Sequence, residues 1–313
     1  MLKILKIIIV ILIILVVLAV GGFVALLAVS DWDFGNLKYE NHEHELTEDF
    51  SQISVDVNST DVNVLLSTNN KCSVICFENN NYSHSVSVVD GTLVIKSIHK
   101  KVFFGYKDTV VSIYLPEKEY SSIDIITGSG DIDVKNLKAK NINLSVDTGE
   151  VELENIVCDV FTSTGDTGDI ELKNVVASSV NLERETGEID ASLLSCSADV
   201  AISTDTGDIS IDLITCSKLS LATDTGEISL DNVVSTTNLI ITTDTGDVVF
   251  TKIDASNIEI TTTTGEVNGS FLSDKIFAIR TSSGKVDVPQ TTSGGVCKIT
   301  TRTGDIIIKI AKN

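Results

Sequence analysis

Basic residues are scarce: 23 Lys and Arg stand against 44 Asp and Glu, for a formal net charge of −21. That shortfall makes nucleic acid and anionic lipid surfaces poor partners, because both attract cationic faces. Catalytic constellations are missing as well. No Ser-His-Asp or Cys-His set, phosphate loop or zinc spacing is visible, so neither an enzyme nor a cofactor is expected. Proline occurs twice and tryptophan once, while Asn, Ser, Thr, Ile and Val are plentiful, a balance suited to strands joined by tight turns.

The chain also has little of the pairing that six cysteines would suggest. Cys158, Cys196 and Cys216 each fall nine residues after a repeated glycine, where other repeats carry Ala139, Ala177, Ser235 or Ala255. This is a packing site for small side chains. Cys297 takes an apolar slot, and Cys72 and Cys76 share a strand face about 13 Å apart, too far to bridge. Buried thiols are expected, with a Cys196–Cys216 bridge between adjacent repeats as the alternative.

What is present divides the chain. From Ile7 to Val29 run 23 residues without a charge, long enough to span a bilayer. Lys3 and Lys6 precede them and Asp31 and Asp33 follow, so residues 1–30 read as a single-pass anchor in the cell membrane, with the N-terminus inside and the rest outside. A signal peptide cleaved near Ala28-Val29-Ser30 is the rival reading, but its apolar region is usually shorter. Residues 31–45 read as a polar juxtamembrane stalk. Within it His42-Glu43-His44 places two imidazoles on one strand face, a weak metal pair or simply solvated residues.

Beyond the stalk the dominant signal is a repeat. Glycines recur from Gly130 to Gly304 at steps of 19 or 20 residues, mostly inside Asp-Thr-Gly or a near copy. Such a period identifies a repeat architecture. Numbered from that glycine, +2 is apolar, +4 mostly and +7 usually so, and counting back −7 and −5 are apolar again, as in Val200 and Ile202 before Gly207. Each repeat therefore holds short alternating strands that bury one face only by stacking on the next repeat. The predicted fold is all-β: a β-solenoid of about ten 19–20-residue coils over residues 121–313, with irregular β coils over 46–120 closing its N-terminal end. No equivalent cap is visible at the C-terminal end, where the chain stops at "GDIIIKIAKN".

Leu115-Pro116, then "ITGSGDIDV", then serial Thr-Gly-Asp/Glu turns, following an apolar N-terminal segment, resemble a bacterial β-strand-repeat family known as putative adhesins. The resemblance covers about residues 46–313. It implies an envelope-associated solenoid with a role in adhesion or envelope stress, and it supplies no catalytic residues.

Two ladders of acids remain to be explained. Asp147, Asp166, Asp205, Asp224 and Asp244 sit at −2, and acids including Asp208, Glu227 and Asp247 at +1, about 4.8 Å apart from coil to coil. Calcium ions between coils are one expectation, and a solvated acidic edge is the other. The +1 acid alternates Asp and Glu until Lys285 breaks the pattern, as duplication of a two-coil unit would produce. An aspartic protease needs two such loops facing across a cleft, which a stacked ladder does not provide. Thr204, Thr223, Thr243 and Thr262 at −3 are expected to point inward, which counts against an outward, ice-binding threonine face. The function expected is a non-enzymatic surface-binding or scaffold module whose partner is an envelope polymer or surface protein. The alternatives are an envelope-stress sensor and a calcium-stabilised repeat.

Overall fold

A computed structural model describes residues 38–99 and 109–311. The anchor expected over residues 1–30 lies outside the described residues, as does the start of the stalk. Among those described, every regular element is a strand, and no helix is long and apolar enough to cross a membrane.

The Gly207 coil shows why the repeat folds as it does. Val200, Ile202 and Thr204 point inward, Asp205 and Thr206 outward, and beyond the turn Ile209 and Ile211 point inward again. Strict alternation would then turn the +7 residue outward. It does not, because Leu213 at +6 adopts a left-handed conformation (φ 56°) that shifts the phase, returning Ile214 and Cys216 to the core. The same corner recurs at Asn136, Asn155, Asn174, Leu193, Asn232 and Lys252. Asparagine tolerates this conformation best. Where three stack, Nδ2 of Asn155 donates to Asn136 and Nδ2 of Asn174 to Asn155, at 3.0 and 2.7 Å.

Coils stack in parallel and in register. Ile209 lies between Ile189 and Ile228, and Thr204 between Arg184 and Thr223. The result is one continuous apolar core, in which each fully buried Ile or Leu contributes roughly 1.5–3 kcal/mol. All six cysteines are buried and free, Cys196 and Cys216 included. The repeat glycine is where backbones touch. A Cβ on Gly226 would lie 1.9 Å from the Gly207 carbonyl oxygen, and one on Gly207 would lie 1.9 Å from that of Gly187.

At the N-terminal end the chain departs from sequential stacking. Strands β1 (Glu40–Leu46), β2 (Gln52–Leu66), β3 (Cys72–Glu78), β4 (Tyr82–Val89), β5 (Thr92–His99), β6 (Thr109–Leu115) and β7 (Glu119–Ser129) form the cap. β2 is sandwiched: β5 and β6 pair with one edge, and β7 with the strand that follows it, Ile132–Lys135, with the other. The cap ends in antiparallel partners, β4 on β5, β3 on β6 and β1 on β3. Part of the expected stalk is therefore sheet, since β1 begins at Glu40, well before residue 45.

The C-terminal end is also reordered, which corrects the expectation that the chain terminus is the bare end of the rod. The Gly265 coil (Asn257–Thr264 and Val267–Phe271) pairs with the Gly304 coil (Gly295–Thr303 and Ile306–Ile310), and that coil pairs with the Gly284 coil (Lys275–Ser283 and Val286–Asp287). The last coil in sequence is thus the penultimate in space. Covered on both sides, the Gly304 coil buries Cys297, Ile299, Ile306 and Ile308, whereas the terminal Gly284 coil keeps Phe277 and Ile279 only partly buried and leaves Val286 exposed.

Candidate functional site

Asp-Thr-Gly is first a device for joining coils. The −3 threonines Thr204, Thr223, Thr243 and Thr262 are buried. Their hydroxyls donate to the glycine carbonyls of the preceding coil, Gly187, Gly207, Gly226 and Gly246, at 3.2, 3.0, 3.4 and 3.2 Å. The next side chain, the −2 acid, must then face out, and Asp147, Asp166, Asp205, Asp224 and Asp244 are all exposed.

The +1 acids are exposed too, Asp305 only in part, but they do not behave alike. Asp208 accepts the main-chain N–H of Glu227 on Oδ1 at 2.7 Å, and Asp247 that of Glu266 at 2.7 Å. Asp131, Asp169 and Asp305 make the same contact to Glu150, Glu188 and Lys285 at 2.9, 2.7 and 2.7 Å. Each Asp therefore uses one oxygen to cap an amide of the next coil, a bond that its short side chain can reach.

The groups least like the repeat lie in the N-terminal cap. Along β3, "CSVICFE", alternation points Cys72, Val74 and Cys76 inward, and it also carries Glu78 inward. The buried carboxylate is fully engaged. Its Oε2 accepts the His84 main-chain N–H at 2.6 Å and faces His84 Nδ1 at 2.8 Å, while Oε1 faces His42 Nδ1 at 2.9 Å. Burial alone would push the Glu78 carboxyl up, but hydrogen bonds from His84 and His42 outweigh it and hold it below the ordinary value. Burial, assisted by Glu78, pushes the Cys76 thiol up to about 12.

His84 Nε2 lies 3.2 Å from Thr60 Oγ1, which lies 2.6 Å from Thr109 Oγ1, and Thr109 in turn donates to the Ser59 carbonyl at 3.1 Å. Hydroxyl, imidazole and carboxylate in this order have the connectivity of a hydrolase triad. Thr60 is only 2% exposed and its oxygen is already held by Thr109, so a substrate carbonyl does not reach it. The arrangement is better suited to ligation. Cys76, Glu78 and His84 present ligand atoms within 4.8 Å of one another.

Of the residues singled out in the sequence, the structure brings His42 and Cys76 to this cluster and places the acidic ladder residues elsewhere, along the rod. Sequence reading missed Cys76, Glu78 and His84 as a group, since His84 stands alone in its segment. The readable signal was an acid in the inward phase of β3.

A family model described as Toastrack DUF4097 matches residues 50–212 and 195–313. The fold is similar to the crystal structure of a "putative adhesin" from Bacteroides fragilis, at 15% identity over 87% of this chain and 97% of that one, with a TM-score of 0.44. It is similar also to that of a "putative lipid binding protein" from Parabacteroides distasonis, at 17% identity over 86% and 98%, with a TM-score of 0.49. A "putative cell adhesion protein" from Clostridium sporogenes aligns at 15% identity over 88% and 100%, with a TM-score of 0.21. No curated protein matches the sequence. With its repeats matched almost from end to end, the chain belongs to the Toastrack DUF4097 family.

Proposed function

We propose that this protein is a non-enzymatic, membrane-anchored rod that binds a polymer or protein of the cell envelope, as an adhesin or scaffold. Repetition carries the reading: the outward −2 and +1 positions offer the same acidic groups and the outward −1 threonines the same hydroxyls at coil after coil, while the inward residues join the coils. Such a surface suits an extended, repetitive partner better than a small molecule. The partner is cationic or neutral, because the chain carries a net charge of −21.

The test compares cells producing the full chain with cells lacking it, before and after external protease. Adherence to host or envelope material that depends on the chain and is lost on shaving supports the proposal. Unchanged adherence, or a rod protected from protease on intact cells, overturns it. Altered envelope-stress signalling with unchanged adherence would favour a sensor instead.

A further inference from the structure

We propose that Cys76, Glu78, His84 and His42 form a site for one zinc ion that fastens strand β1 to the N-terminal cap. Thiolate, imidazole and carboxylate are the ligands zinc takes, and a closed set of four is the structural kind of site. Three of these residues already place ligand atoms within 4.8 Å of one another. Ligands around a tetrahedral zinc stand roughly 3–4 Å apart, so small side-chain adjustments close the set. The fourth is supplied by β1. His42 is opposite Cys76 in the β1–β3 register, which puts the two side chains on one face, and its Nδ1 already meets the Glu78 carboxylate.

The outer shell is also in place. An imidazole that binds metal through one nitrogen needs the other held, and the Thr60–Thr109–Ser59 relay holds His84 Nε2. Two residues from His42 and on the same strand face, His44 Nε2 is withdrawn from water without a hydrogen-bond partner, so this face of β1 carries more ligating capacity than its contacts use. Access is through His42, whose side chain is half exposed on a strand that, among the described residues, pairs with β3 alone.

Coordination exchanges protons for metal without redox change. Cys76 releases its thiol proton to solvent, and on each imidazole the N–H facing Glu78 is replaced by the bond to zinc, its proton leaving to solvent or, at His42, moving to Nε2.

The experiment uses the full chain in detergent, stripped with chelator, with Co²⁺ as the spectroscopic probe and Zn²⁺ titrated against a chromophoric chelator. One equivalent of Co²⁺ should bind, giving a near-ultraviolet sulfur-to-cobalt band and visible bands of tetrahedral intensity. Cys76→Ser should remove the near-ultraviolet band. His42→Gln, on an exposed edge where folding is not at stake, should weaken zinc at least tenfold, and Thr60→Val, which strips the relay, by about 10–100-fold. Three results overturn the site: no stoichiometric Co²⁺ binding, a Cys76→Ser protein that keeps the band, or a His42→Gln protein that binds zinc as tightly as wild type.

Discussion

Substituting alanine for two glycines separates two reasons for glycine. At Gly226 the added Cβ lands 1.9 Å from the Gly207 carbonyl oxygen, and a real contact of that kind needs at least 3.0 Å. The coils must therefore part by more than an ångström at a point where they are tied by Gly207 N–H to Thr225 O at 3.0 Å and Ile209 N–H to Glu227 O at 2.9 Å. Stretching both bonds loses about 0.5–1.5 kcal/mol each, and groups left dry without partners cost about 1–3 kcal/mol more. Gly226→Ala should thus lose about 3 kcal/mol or more, on the order of 6–12 °C in melting temperature for a domain of this size. At Gly91 a Cβ meets nothing within 4 Å, but φ is +75°, so Gly91→Ala carries only the conformational cost of about 1–2 kcal/mol. Thermal melting followed by far-ultraviolet circular dichroism gives the comparison. Amide exchange around Thr225 shows whether the stack opens locally at Gly226. If Gly226→Ala melts no lower than Gly91→Ala and its amides stay protected, the reading of the glycine column as a line of backbone contact is wrong.

Other consequences follow from the same geometry. Ile209→Asp buries an unpaired carboxylate between Ile189 and Ile228 and should cost several kcal/mol, whereas Ser210→Asn, an uncharged change on the exposed face beside Asp190 and Ser229, should stay within about 0.5 kcal/mol; equal melting temperatures would contradict the inward assignment. Leu213→Asn replaces an exposed leucine held in a left-handed conformation, beside Asn232 in the next coil, and should stabilise by about 1 kcal/mol in denaturant titration. Asp224→Asn should leave the fold intact and relieve repulsion with Asp205 and Asp244. If calcium instead bridges the ladder, millimolar calcium will raise the wild-type melting temperature by more than a few degrees, the mutant will lose that rise, and sodium at equal ionic strength will not reproduce it.

The coil itself was legible because its forces are local. Alternation at −7, −5, +2 and +4 follows from one buried face, and the inward −3 threonine follows from the same count. The shift that brings +7 inward was visible only as an odd spacing, because its cause is one left-handed residue whose identity varies among Asn, Leu and Lys. The cap cluster was hidden for another reason. His42 and Glu78 are 36 positions apart, and they meet only after β1 turns back antiparallel on β3. Glu78 carried a partial signal, as an acid in phase with Cys72, Val74 and Cys76. The order of coils at both ends left no local trace, since any coil with the repeat pattern can pair with any other.

That reordering decides what the alternating acids mean. In sequence they run Asp247, Glu266, Lys285, Asp305, and the alternation fails at Lys285. In space the Gly304 coil lies between the Gly265 and Gly284 coils, so the same residues run Asp247, Glu266, Asp305, Lys285. Asp305 caps the Lys285 amide just as Asp247 caps that of Glu266. Copy number in a duplicated two-coil unit would put Glu after Gly304, whereas position in the stack asks for Asp, and Asp is what stands there. Two short acids in adjacent coils would bring like charges together at the spacing of neighbouring strands, while a short acid turned onto the backbone beside a longer one reaching into solvent keeps them apart. Duplication would account for the pattern along the chain, but the capping bond accounts for its holding where the chain folds back on itself.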